Sequence, residues 1–184
     1  MAQLSVAVRN AMLDQIEVTP GVSAILRVRS GAMPANCAAA DSGTILSALT
    51  LPSDWMSNAA AGAKAKLGTW QQASAAASGL VGFFRIYDTA GTTCHIQGLL
   101  SQTWVATTAY ILNQQVNNGG LVYKATTGGT SAGSGGPTGT GSGITDGTAV
   151  WAYVGPVDMT IDNGNISIGQ AYTINSFTLN AANA

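Results

Sequence analysis

Five aromatic residues, Trp104, Tyr110, Tyr123, Trp151 and Tyr153, lie within a stretch of about fifty residues in a chain that is only 7% aromatic. An exposed ring offers the apolar face of a sugar dispersion contact and a place to bury its CH groups. These five are therefore the candidate carbohydrate-binding residues. A segment this short has few other large side chains from which to build a core, so the rings have two uses open to them, platform or core.

Other chemistry has thinner support. Asp158 and Asp162 lie four apart on a strand-like run, a spacing that suits a carboxylate pair for glycoside hydrolysis or half of a calcium site. Asp162 precedes Asn163 and Gly164, where capping a turn is the expected role. The lone histidine, His95, follows Cys94 on an expected strand, and neighbouring strand residues point to opposite faces. That geometry disfavours a Cys94–His95 dyad. No phosphate-binding loop, nucleophile elbow, HExxH helix or dinucleotide fingerprint is present, and "GTGSG" at 139–143 has no helix after it to present to a phosphate. The expectation is a protein with no catalytic residues, no metal site and no cofactor.

Composition narrows the classes further. Hydrophobic residues make up 46% and charged residues 8%, with a net charge of −1. Seven scattered cations, Arg9, Arg27, Arg29, Lys64, Lys66, Arg85 and Lys124, form no basic run, which argues against a nucleic-acid partner. No long apolar run or secretory leader is visible, so the expectation is a soluble chain made in the cytoplasm without membrane insertion. Cys37 and Cys94 are expected to be reduced, buried thiols and not a bridge.

These residues must be positioned by strands. Residues 4–17 carry Leu4, Val8, Ala11, Met12 and Ile16 at helical spacing, an apolar stripe expected to lie on a sheet or dock on a partner. After Pro20 and Gly21 the pattern becomes strand-like: "SAILRVRS", "TILSALTL", "LVGFFRIYD", "TTCHIQGLL", "MTID", "ISI" and "YTINSFTL", punctuated by Gly, Asn, Asp and Pro. "FFRIYDTAGTTCHIQG" reads as a hairpin turning at Asp88 to Gly91. Residues 56–78, rich in Ala and Ser, read as irregular surface or short, tightly packed strand.

Residues 102–155 differ in character: their only charges are Lys124 and Asp146, and a tryptophan stands near each end. They read as a compact insert whose termini meet, splitting the remainder into 1–101 and 156–184, with Ser101 and Pro156 close enough for a short turn to join. Inside the insert, 128–147 reads as a Gly/Ser/Thr-rich loop between two strands, with its tip the least ordered part of the chain.

Two resemblances follow from these residues. "TWVATTAY", "VNNGGLVYKA" from Val116 and "VWAYV" from Val150 resemble small carbohydrate-binding modules of the chitin- and cellulose-binding type. "VRNAMLDQIE", "ILRVRSGAMPANCAAADSGTIL", "LPSDWM", "FFRIYDTAGTTCHIQG" and "FTLNAANA" are similar to small virion proteins of tailed bacteriophages. The fold these imply is mainly β: an antiparallel, jelly-roll-like β-sandwich with one N-terminal amphipathic helix and a small inserted three-stranded β module. The function implied is a structural protein decorating the virion surface at the head, made in the bacterial host. Its expected partners are major capsid or tail proteins, further copies of itself and a host surface glycan. The alternatives are a tail or tail-fibre component that adsorbs to host glycans, and a fragment of a carbohydrate-active enzyme.

Overall fold

The computed structural model describes residues 3–181. In chain order they form α1 (Val6–Val18), β1 (Ile25–Arg29), β2 (Ile45–Thr50), β3 (Ala63–Ala65), β4 (Trp70–Gln72), β5 (Gly79–Leu80), β6 (Phe83–Tyr87), β7 (Cys94–Thr103) and β8 (Ala109–Tyr110). There follow β9 (Gln115–Asn118), β10 (Leu121–Thr127), β11 (Gly129–Thr130), β12 (Ser142–Asp146), β13 (Ala149–Pro156), β14 (Met159–Ile161), β15 (Asn165–Ile166) and β16 (Tyr172–Asn180). The protein is mainly β with one N-terminal helix and a large, antiparallel-dominated sheet, as its alternating patterns lead one to expect.

Period-two alternation builds the main core. Leu26 and Val28 of β1, Leu46 and Leu49 of β2, and Phe84 and Ile86 of β6 turn inward, and β16 adds Tyr172, Ile174 and Phe177. A row of rings runs through this core: Trp55 to Trp70 at 6.0 Å, Trp70 to Phe177 at 5.8 Å, and Phe177 to Phe84 edge-on at 5.5 Å. Residues 56–78, poor in large side chains, nevertheless deliver Trp70 to its centre on the short β4. The β6–β7 hairpin forms where its turn residues place it, with the Asp88 carboxylate accepting from the Thr92 amide at 2.7 Å.

α1 begins at Ser5, whose hydroxyl accepts from the Val8 amide, a side-chain N-cap. Its orientation overturns the first of the two expected placements, the apolar stripe lying on a sheet. The polar face docks: Glu17 accepts from the Trp55 and Met56 amides, Asp14 from the Ala59 amide and Asn10 from the Gly62 amide, while Arg9 donates to the Ala181 carbonyl. Lys64 of β3, 3% exposed, donates to Asp14 at 2.9 Å and Glu17 at 3.1 Å. Of the apolar residues only Leu13 is buried, whereas Val8 and Met12 stand 46% and 54% exposed. The segment before β3 presents the amides of Trp55, Met56, Ala59 and Gly62, and polar side chains at i, i+4 and i+7 answer them better than an apolar stripe could.

β7 is the strand on which the architecture turns. From Cys94 to Leu99 it pairs antiparallel with β6; from Leu100 to Gln102 it pairs parallel with β14; at Gln102 and Thr103 it pairs parallel with β9 of the insert. The sheet thus runs without a break from β12, β13, β10 and β9 through β7 to β14 and β16. The Gln102 side chain fastens the junction, accepting from the Gly164 amide at 2.7 Å and from Gln114 at 3.4 Å, while the Gln102 backbone carbonyl accepts from the Asn117 side chain at 3.1 Å.

The short turn expected between Ser101 and Pro156 is therefore not available. The flanking strands are neighbours, with Ser101 opposite Thr160, but they run the same way. Parallel neighbours need a crossover of a dozen or more residues, and residues 102–155 provide it. Joining Ser101 directly to Pro156 would leave only Pro156, Val157 and Asp158 to travel back past β7. That deletion is expected to lose the β7–β14 pairing and cooperative thermal unfolding by circular dichroism, whereas a flexible replacement of about fifteen residues should restore part of it.

Candidate functional site

Three strands carry most of the aromatic residues. Alternation puts Val116 of β9, Tyr123 and Ala125 of β10, and Ala149 and Trp151 of β13 on one face, where Tyr110 of β8 joins them in a second hydrophobic cluster. Tyr110 meets Trp151 edge-on at 5.1 Å, and Tyr123 meets Tyr153 edge-on at 6.2 Å. Tyr110, Tyr123 and Trp151 are 2%, 1% and 0% exposed. They are core, which corrects the five-ring platform: a ring enclosed on both faces has none left for a sugar. Trp104 and Tyr153 pack against the cluster and stay half-buried, and one side of Trp104 lies so close to the backbone of Gly136 that a Cβ there would come within 2.9 Å of the indole.

One carboxylate organises this cluster. Asp146, at the end of β12 and 4% exposed, accepts from Trp104 Nε1 at 2.7 Å and Trp151 Nε1 at 3.2 Å through Oδ2, and from the Ala132 amide at 2.9 Å through Oδ1. A buried charge needs this degree of satisfaction. The bonds reach across the Gly-rich stretch and tie its start to its end.

That stretch departs from the expected loose loop. β11 pairs with β8 and β12 with β13. Between them Asn118 donates to the carbonyls of Gly135 and Pro137, and Tyr123 donates its hydroxyl to the Gly139 carbonyl at 3.0 Å. Some of its glycines serve close approach: at Gly147 (φ +65°) a Cβ would sit 2.3 Å from the Thr130 carbonyl oxygen, whereas Gly133, Gly135, Gly139, Gly141 and Gly143 face open space.

The titratable candidates are dispersed. Asp158 accepts from the Leu99 amide at 2.8 Å, and Asp162 from the Thr173 amide at 3.0 Å, each holding a different strand. The turn after β14 is capped by Asn163, which accepts from the Asn165 amide, and not by Asp162. Among the described residues no group of three or more His, Cys, Asp or Glu is placed to hold a metal. Cys94 bonds to Arg85 and not to His95. Burial, together with a hydrogen bond to the Cys37 thiol, pushes its own thiol up to about 11, so it is protonated and a poor nucleophile at neutral pH. Both cysteines are free and half-buried.

No family model, curated protein or solved structure matches the chain. The site must be read from its own geometry.

Two groupings escaped the sequence pattern. In the first, Arg27 and Arg85 face each other across β1 and β6, an unfavourable like-charge pair that Asp41 offsets. Asp41 lies 3.0 Å from Arg29 and 3.6 Å from Arg27 and accepts hydrogen bonds from Arg85 and Tyr87. Partial burial pushes its carboxyl up, but Tyr87, Arg85 and Arg29 outweigh this and hold it below its ordinary value. Arg85 also gathers the carbonyls of Asn36, Cys37 and Ala39, so the cations strap residues 30–44 onto the sheet. The second grouping lies on the opposite face of the insert's strands, where Gln115 and Lys124 are cross-strand partners lining a cleft. Spacing along the chain gives no sign of either, because both depend on strand register.

Asp146→Ala would strand two indole N–H groups and one buried amide. It is expected to lower stability by about 3 kcal/mol, with Asp146→Asn costing less, measured by urea unfolding followed through tryptophan fluorescence.

Proposed function

We propose that the protein is a non-enzymatic structural component of a tailed-phage particle, decorating the particle surface at the head, with the segment that resembles carbohydrate-binding modules facing outward. The observation that carries this reading is the inverted helix. α1 is fastened to the body by its polar face and turns Val8, Ala11 and Met12 to the outside. An ordered row of exposed apolar side chains on a helix held by several part-buried hydrogen bonds is the form expected of a surface that packs on a neighbouring subunit. The dispersed carboxylates and the protonated Cys94 thiol also favour a structural role over catalysis.

A second reading, adsorption to host glycans from a position on the tail, draws on Trp104 and Tyr153, which alone among the five rings keep accessible surface. Many copies on one particle would turn weak contacts into useful avidity.

Val8→Asp with Met12→Asp provides the test. Both positions are exposed, so the isolated protein should melt within about 0.5 kcal/mol of the parent stability. Incorporation into particles, measured by quantitative mass spectrometry of purified virions, should fall sharply from the hundreds of copies expected of a head decoration. Unchanged incorporation, or absence of the parent protein from particles, would contradict the reading; a dozen or so copies would move it to the tail.

A further inference from the structure

A cavity of about 650 Å3 opens between the start of the 30–44 strap, β7 and the back of the insert's strands. That volume is in the range of sites that enclose small organic molecules. Its lining is mixed, with Met33, Val81, Leu99 and Val154 forming an aliphatic part beside polar Ser30 and Asn113, and no aromatic ring takes part. Stacking ligands such as sugars and nucleobases therefore find no partner there.

The polar end of the cavity is made by Gln115 and Lys124. They sit directly opposite each other on β9 and β10, which brings their side chains to one place on the face turned away from the aromatic cluster. Gln115 is only 8% exposed, yet its Oε1 has no hydrogen-bond partner, an arrangement that buried amides normally avoid. Lys124 is half-buried. Arg9, Arg27, Arg29, Lys64, Lys66 and Arg85 each donate at least one hydrogen bond. Among the described residues, Lys124 is the one lysine or arginine whose side chain has neither a hydrogen bond nor an ion pair. Asp146, the other charge of the insert, is occupied by its three donors.

We propose that this cleft binds an unbranched aliphatic carboxylate of the fatty-acid class, with its carboxylate on the Lys124 ammonium and its chain along Val81, Leu99 and Val154. The charge fits in sign, since an unpaired ammonium calls for an anion able to accept hydrogen bonds; the unpaired Gln115 Oε1, itself an acceptor, takes no part in holding it. The walls fit in kind, since methylene groups gain from burial and need no polar partner. The inference is independent of the virion reading, because it uses neither the helix nor the exposed rings.

Titration calorimetry of the full chain with hexanoate, octanoate and decanoate tests it below their micelle-forming concentrations. Saturable one-to-one binding is expected, tightening about fourfold per added methylene until the cleft is filled. Lys124→Met keeps the stem and removes the charge. It should melt with the parent protein and weaken decanoate at least tenfold, and decanol should bind the parent protein correspondingly less well than decanoate. The proposal is overturned if no carboxylate saturates, if Lys124→Met binds decanoate as tightly as the parent, or if decyltrimethylammonium binds equally well. Leu99→Asp, which places a like charge in the aliphatic wall, separates cleft binding from adsorption elsewhere: decanoate affinity should drop, and an unchanged affinity would also overturn the assignment.

Discussion

The backbone pairing of Leu100–Gln102 with Met159–Ile161 constrains everything around it. Because these segments run in parallel, the chain that leaves one must travel a long way before it can enter the other. A helix often makes that journey in α/β proteins; here residues 102–155 make it as a set of strands, four of which, β9, β10, β13 and β12, extend the sheet they depart from. The insert consequently has its own aromatic core and yet shares β7, Gln102 and a ladder with the main body. Composition marks it as a separate unit, and hydrogen bonding makes it a connection.

Inside that connection the organising group is a buried carboxylate without a cation. Asp146 draws both tryptophans of the insert and the first part of the Gly-rich stretch to one point, and Gly136 and Gly147 let the backbone approach that point closely. Flexible composition thus serves tight packing. The aromatic rings cannot then be free to act as a sugar platform, since three of them form the core that the carboxylate anchors.

The sequence made the elements legible and their surroundings less so. Strand-like composition between turn residues identified β1, β6, β7 and β16 and the turn at Asp88; alternation leaves a direct trace in the half-buried β1, whereas β6 is buried along its whole length. The period of α1 was equally clear, but the choice of inward face depended on unpaired amides near Trp55, Ala59 and Gly62 that no local pattern reveals. Register-dependent groupings were invisible for the same reason: Arg27 meets Arg85, and Lys124 meets Gln115, only after strands pair. Of the five candidate rings, the sequence could not tell core from surface, and burial divides them three to two.

A structural reading of the protein rests on its presenting one rigid body to its neighbours, with the insert an integral part of the fold. Native-state hydrogen exchange examines this directly. The amides of Trp104 and Ala125, bonded to the Asn117 and Gln114 carbonyls, report on the insert, and those of Leu51 and Val81, bonded to the Ala24 and Gly164 carbonyls, report on the main core. A single cooperative unit predicts the same opening free energy and denaturant slope for all four. Exchange of Trp104 and Ala125 through a separate, lower-energy opening, with Leu51 and Val81 still protected, would contradict it.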